Sequence, residues 1–235
     1  MRTDYNQTYF RPQEIDADAP DKIQLINEHF INKVDDTEYP CLGAKSALHT
    51  QHYRFGNYGS MGSKETTHSL GQDLKTYIKE TIEADSQYMS MIAIFSDEVK
   101  TELDFEQKLW TQLQKLHDSE KDHTDWDPNV ASDPASDDFS FSFDQTAFFV
   151  VGMHPLSSRK ARQLDFCAMA FNLHRQFEQL REGDQYEKMK QVIRDREINY
   201  QGSINPMLRD YGEGSEAAQY SGREVDDNWK CPFHP

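Results

Sequence analysis

The run Phe148-Phe149-Val150-Val151-Gly152-Met153-His154-Pro155-Leu156-Ser157-Ser158-Arg159-Lys160-Ala161-Arg162 turns from apolar to cationic within a short span. Extended back to Ala147, its first half is a continuous apolar stretch closing on a proline, the pattern of a buried strand that opens into a polar turn. Just upstream, Phe139, Phe141 and Phe143 alternate with polar residues and predict a neighbouring strand, with Asp144-Gln145-Thr146 as the turn of a hairpin. Met91-Ile92-Ala93-Ile94-Phe95 is too short an apolar run for a helix and reads as another buried strand.

Helical spacing surrounds these strands. Ile23, Ile26, Phe30 and Val34 follow Asp21, a candidate cap, and predict a helix ending near Asp35. Leu70, Leu74, Tyr77, Ile78 and Thr81 predict another, as do Phe105, Leu109, Leu113 and Leu116. Leu173, Phe177 and Leu180, then Tyr186, Met189 and Ile193, fit helices separated near Gly183, and Asn205 before Pro206 marks a further helix start with Gly212 as its stop. Tyr39 to Ala44 and the glycines at 56, 59 and 62 read as loop, because Pro40 disfavours helix at Tyr39. Residues 118–138 lose periodicity, carry Asp127-Pro128 and Asp133-Pro134, and read as an acidic surface loop. Strands set among helices without regular alternation predict an α+β fold. The expected organisation is an N-terminal extension over 1–20, then a single domain over 21–235 with a small central sheet flanked by helices and a loop-rich C-terminal third.

Composition sets limits on partners. The 235 residues are 36% hydrophobic, and 14 Phe and 11 Tyr supply the large apolar faces that the aliphatics do not. A formal net charge of -16 repels phosphate backbones, so nucleic acid is set aside, while cationic small molecules are attracted. No stretch has membrane-spanning length, and the start of the chain has no apolar core of a secretory signal. Cys41, Cys167 and Cys231 are an odd number in no metal-finger spacing, so the expected compartment is the reducing cytoplasm.

The strand end carries chemistry. A neutral imidazole at His154 can bind iron, and the hydroxyls and guanidinium groups of Ser157, Ser158, Arg159 and Arg162 just beyond suit a carboxylate or phosphate; the bland reading of His154 is a hydrogen-bonded structural residue. Cys41 and Cys231 each sit in a pair with proline and can serve as thiolate ligands, whereas Cys167 looks like core packing. The Gly- and Ser-rich stretch from 201 to 223 lacks both the dinucleotide and the P-loop patterns.

Six stretches now stand in order: Tyr39-Pro40-Cys41-Leu42-Gly43-Ala44, the run that ends at Arg162, Phe171-Asn172-Leu173-His174 leading to Arg181, then SINPML at 203–208, SEAAQYSGR at 215–223 and WKCPF at 229–233. Together they resemble the YqcI/YcgG family from Tyr39 to Phe233. The resemblance implies a b-type haem and oxygen-dependent hydroxylation of a nitrogen in a small cationic guanidino or amino compound, arginine-like in kind. Dioxygen and an external electron donor, a reductase, are then required, since no flavin or nicotinamide motif is present. On that footing His154 is the expected iron ligand, with Cys41 and Cys231 as alternatives, and an imidazole-type spectrum is expected. Ser157, Ser158, Arg159, Arg162 and Arg223 are the expected haem-binding residues, and Glu213 and Glu216 the candidate carboxylates for a cationic substrate. The competing reading is a haem-binding or gas-sensing protein without turnover. A homodimer is compatible with either.

Overall fold

The computed structural model describes residues 7–84, 86–182, 186–208 and 214–235. Its apolar runs form one six-stranded sheet: β1 (Tyr9–Phe10), β2 (Tyr53–Asn57), β3 (Ser90–Phe95), β4 (Phe141–Phe143), β5 (Thr146–Met153) and β6 (Cys167–Leu173), in the order β1-β2-β3-β6-β5-β4. Neighbours run antiparallel except β2 and β3, which are parallel because a helical crossover joins them. The fold is α+β, as the sequence pattern predicts.

Numbered along the chain, the helices are α1 (Asp21–Asp35), α2 (Leu42–His49), α3 (Lys64–Ala84), α4 (Glu102–Glu120), α5 (His174–Glu182), α6 (Tyr186–Gln201) and α7 (Ala217–Tyr220). Side chains alternate between the faces of the sheet, and the two faces meet different helices. On one face Met91, Ala93, Phe95, Phe148, Val150, Met169 and Phe171 share a core with the crossover helix α3 and with α4, through Leu70, Leu74, Tyr77, Leu109 and Leu113. On the other face Phe55, Ile92, Ile94, Ala168 and Ala170 meet Ile23, Ile26 and Phe30 of α1 and Leu48 of α2. Where β3 presents isoleucines to this second face, β6 presents Ala168 and Ala170, and the missing side-chain volume leaves a cavity against the sheet.

The edge at β4 is held by the C-terminal region. The Tyr220 hydroxyl accepts the Phe141 N–H at 3.0 Å and donates to the Phe148 carbonyl at 2.9 Å, and these two residues are partners across β4 and β5. Phe233 packs in the same cluster, with ring centroids 5.9 Å from Trp126 and 6.0 Å from Phe139. Gly152 is required here: a Cβ would lie 2.6 Å from Phe105 and 2.8 Å from the Tyr220 carbonyl.

Helix α1 and the β4–β5 hairpin follow the sequence pattern, except that Asp21 is the first residue of α1 and not its cap, Pro20 holding that position without a side-chain bond; the hairpin turn places Asp144 and Gln145 at φ 49° and 58°. Other elements differ from expectation. Pro40 excludes Tyr39 from helix, but Cys41 then caps α2 and Tyr53–Asn57, with Gly56, pairs as β2, so only 39–41 and the segment carrying Gly59 and Gly62 remain turn and loop as expected. Leu173 ends a strand, and the helix after it begins at His174. Helix α4 continues to Glu120, into the stretch expected as the acidic loop. Asn205 begins a turn rather than a helix: its side-chain oxygen accepts the Met207 N–H at 3.0 Å, competing with helical bonding. Gly183 and Gly212 lie outside the described residues. No helix among those described is long and apolar enough to cross a membrane.

Candidate functional site

The cavity on the second face has a volume of about 280 Å³ and is lined mainly by apolar side chains from β5, β6, α2, α5 and α6, among them Phe149, Val151, Phe177, Leu180 and Ile193. A few polar groups converge on it, as in small-molecule sites. Asn172, Gln176 and Gln219 supply amides, Cys41 a thiol, Arg159 and Arg162 guanidinium groups, and Glu197 a carboxylate.

Cys41 is at the N-cap of α2, where its sulfur accepts the Ala44 N–H at 3.4 Å. Cys41 is exposed as a residue, but the packing around its sulfur pushes the thiol pKa up, against the opposing pull of the Ala44 and Gly43 N–H groups and the Arg162 charge. A metal that replaced the thiol proton would remove that desolvation cost and retain the favourable helix end.

Arg162 lies in the same wall. Its Nη1 donates to the carbonyls of Tyr220 at 3.1 Å and Gly152 at 3.4 Å, and no carboxylate stands within ion-pair distance of it among the described residues. Burial lowers its pKa to about 10, which the charge of Glu197 partly offsets. Gly222, at φ 81°, makes room for it, since a Cβ there would lie 2.6 Å from the Arg162 side chain. A half-buried guanidinium whose hydrogen bonds go only to carbonyls can anchor a carboxylate. Arg159 is committed differently, to Glu197 at 3.0 Å and to the Ser203 hydroxyl and carbonyl at 3.0 and 2.8 Å.

The remaining expected site residues lie elsewhere. His154 is fully buried on the opposite face, stacked on Phe105 with ring centroids 4.3 Å apart, and neither ring nitrogen has a hydrogen-bond partner among the described residues. Strand alternation explains this: Met153 faces the cavity, so the next side chain turns away. Arg223 grips Glu106 with two bonds of 2.9 Å on that same far side. Ser157 shapes the turn, its hydroxyl accepting the Arg159 N–H at 3.3 Å, and Ser158 binds Glu102 through its N–H and hydroxyl at 2.8 and 2.9 Å. Cys231 packs against the first core with its thiol pushed up to about 12 by burial. Glu216 is buried beside Ser140 and does not line the cavity; burial raises it to about 7. Glu213 lies outside the described residues. Glu197, which no sequence motif marks, stands on the α6 face that Met189 and Ile193 also present to the cavity. A carboxylate continuing an apolar stripe at helical spacing was the signal that could have found it.

The orphaned His154 has a measurable effect on stability. Burial depresses its pKa from 6.5 to about 4, so the unfolded chain binds a proton that the folded chain refuses between those values. Its contribution is therefore lost as pH falls from 6.5 towards 4, by about 2 kcal/mol between pH 7 and pH 5. Urea unfolding of wild type and His154→Leu at both pH values should show the variant gaining that amount relative to wild type on acidification. A pH-independent difference would show that the imidazole is hydrated or paired in solution.

The donor set is of the kind a haem uses, but a cavity of about 280 Å³ is smaller than a whole haem, which would have to extend through its open side. Among the described residues no group of His, Cys, Asp and Glu side chains converges to hold a bare metal ion; of the donors that line the cavity, the Glu197 carboxylate is engaged by Arg159 and the Cys41 thiol accepts only the Ala44 N–H. A porphyrin iron brings its own nitrogen donors and needs one protein ligand, apolar walls and a cation for its carboxylates. A model of the YqcI/YcgG family matches residues 29–234 of the chain. No curated protein and no solved structure gives a match.

Proposed function

The chain belongs to the YqcI/YcgG family, and from that premise we propose that it is a haem-dependent oxygenase hydroxylating a nitrogen of a small guanidino or amino compound, with Cys41 as the iron ligand. The observation that supports this reading is the capping thiol of Cys41 on an apolar cavity shared with Arg162, a half-buried cation without a carboxylate partner among the described residues. When bound, the haem supplies activation of dioxygen for insertion into an N–H bond, with electrons from an external donor.

The protein's own residues have separable tasks. The N-terminus of α2 and the Ala44 N–H partly offset the desolvation that raises the Cys41 thiol pKa. Arg162 would hold a propionate by charge-assisted hydrogen bonds. Phe149, Phe177 and Leu180 give the cavity apolar walls, and water excluded by a bound ligand would strengthen each polar contact within it. Asn172, Gln176 and Gln219 line the cavity and would orient the reacting nitrogen, Asn172 and Gln176 while their amide nitrogens donate to the Phe149 and Ser86 carbonyls.

The test is a titration of the protein with hemin, followed by the ferrous carbonyl spectrum. A saturable Soret change and a long-wavelength carbonyl band of thiolate type are expected. Absence of any saturable Soret change would remove the haem reading. Haem uptake without turnover of guanidines or amines, given reductant and oxygen, would leave the sensing role.

A further inference from the structure

A second pocket, of about 340 Å³, lies outside the cavity and is lined by Ser158, Gln201, Ser203, Glu224, Arg159 and Asn205. The last two also line the inner cavity, so the two spaces share a wall. That wall is a polar network around one ion pair. Arg159 Nη2 meets Glu197 Oε1 at 3.0 Å, and Glu197 Oε2 accepts the Asn205 N–H at 3.0 Å. Both side chains are largely buried, at 9% and 13% exposure. Glu197 faces the inner cavity and Arg159 reaches both spaces.

A buried ion pair resists separation because each charge left alone is stranded in a poorly solvated site. A ligand with one charge could satisfy one partner and would strand the other. A ligand carrying a carboxylate at one end and a cation at the other can enter between them and leave both paired. We propose that the Arg159–Glu197 pair is a charge-exchange gate between the two pockets, opened by an amino acid whose side chain ends in a cation. The ligand's carboxylate replaces Glu197 on Arg159 in the outer pocket, and its cation replaces Arg159 on Glu197 in the inner cavity. No covalent bond changes in this step. The wall yields at Ser203–Asn205, next to Gly202 at φ 90° with open space around it. Passage through the gate stands apart from the oxygenase reading, and only the fate of the admitted ligand rests on it.

The experiment is calorimetric binding to the full chain, before and after addition of hemin, with arginine, agmatine and citrulline as probes. Agmatine keeps the guanidinium without the carboxylate, and citrulline keeps the carboxylate with a neutral side chain. Arginine should bind wild type about tenfold tighter or more than either. Arg159→Gln should erase the preference over agmatine, and Glu197→Gln the preference over citrulline. The combined Arg159→Gln and Glu197→Gln chain strands no charge, so it should fold as wild type and show neither preference. Wild-type preferences kept in folded variants would overturn the gate, as would a wild type that binds arginine no better than the other probes or not at all. The two ideas fail separately: a chain with these preferences and no Soret band sinks the oxygenase reading alone, and a haem-loaded chain without them sinks the gate alone.

Discussion

Cys41→Ser is expected to abolish the thiolate-type carbonyl band and to lower N-hydroxylation by about 100-fold or more, equivalent to about 3 kcal/mol of transition-state stabilisation, while the protein stays folded. The separation of effects comes from the position. Cys41 caps α2 through its sulfur, and serine is among the strongest N-cap residues, so the substitution preserves or improves the helix start. A serine hydroxyl is nevertheless a hard, weakly acidic donor that cannot replace a thiolate on iron. Loss of function without loss of fold is therefore the signature of ligation at this site. Unfolding curves and ferrous carbonyl spectra of wild type, Cys41→Ser and His154→Leu check it together. An imidazole-type band that survives Cys41→Ser and vanishes in His154→Leu would return the iron to the far side of the sheet.

Glu106→Ala should cost about 3–5 kcal/mol of stability, the range for breaking one side of a buried charge network. Glu106 is buried on α4 and accepts from Arg223 through two nitrogens at 2.9 Å, from the Ser221 hydroxyl at 3.0 Å and from the Trp229 indole at 3.1 Å. It ties the segment around Arg223 and Trp229 to the first core, so its removal strands a guanidinium and an indole N–H together. Denaturant unfolding followed by tryptophan fluorescence measures this directly. A loss below about 1 kcal/mol would show that water takes over the carboxylate's partners. Arg223→Ala should act in the same sense while leaving hemin affinity at the wild-type value, because this arginine is committed to Glu106 and not to the cavity.

The strands at the sheet centre were legible because they are buried on both sides and read as unbroken apolar runs, Met91–Phe95 and Ala147–Met153 being the clear cases. Strand β6 was not, because Ala168, Ala170 and Asn172 interrupt its hydrophobicity, and those small and polar residues are what the cavity requires. Its Leu173 also falls in register with Phe177 and Leu180, so the helical pattern of α5 extends falsely back into the strand. Helix α2 is short and comes just after Pro40, so it offers a cap and little periodicity. At the site, proximity in sequence is not proximity in space. His154, Arg159 and Arg162 lie within one turn of chain, but β5 sends alternate residues to opposite faces, and the cavity collects Arg159 and Arg162 with Cys41 instead. Which face a strand-end residue takes depends on the pairing of the whole sheet, a long-range property that a short motif does not carry.

The Tyr220 hydroxyl that bridges Phe141 and Phe148 also bears on how the chain acquires its shape. A contact between residues 72 apart in sequence closes the β4–β5 edge, and Phe233 seals the aromatic cluster beside it. Such distant closures carry a large loop entropy and come late. During synthesis the hairpin leaves the ribosome well before Tyr220 and Phe233, so the edge of the sheet waits unsealed while the remaining segments are made. Through that interval the exposed phenylalanines of β4 are the part of the nascent chain most open to misassociation or to capture by a chaperone.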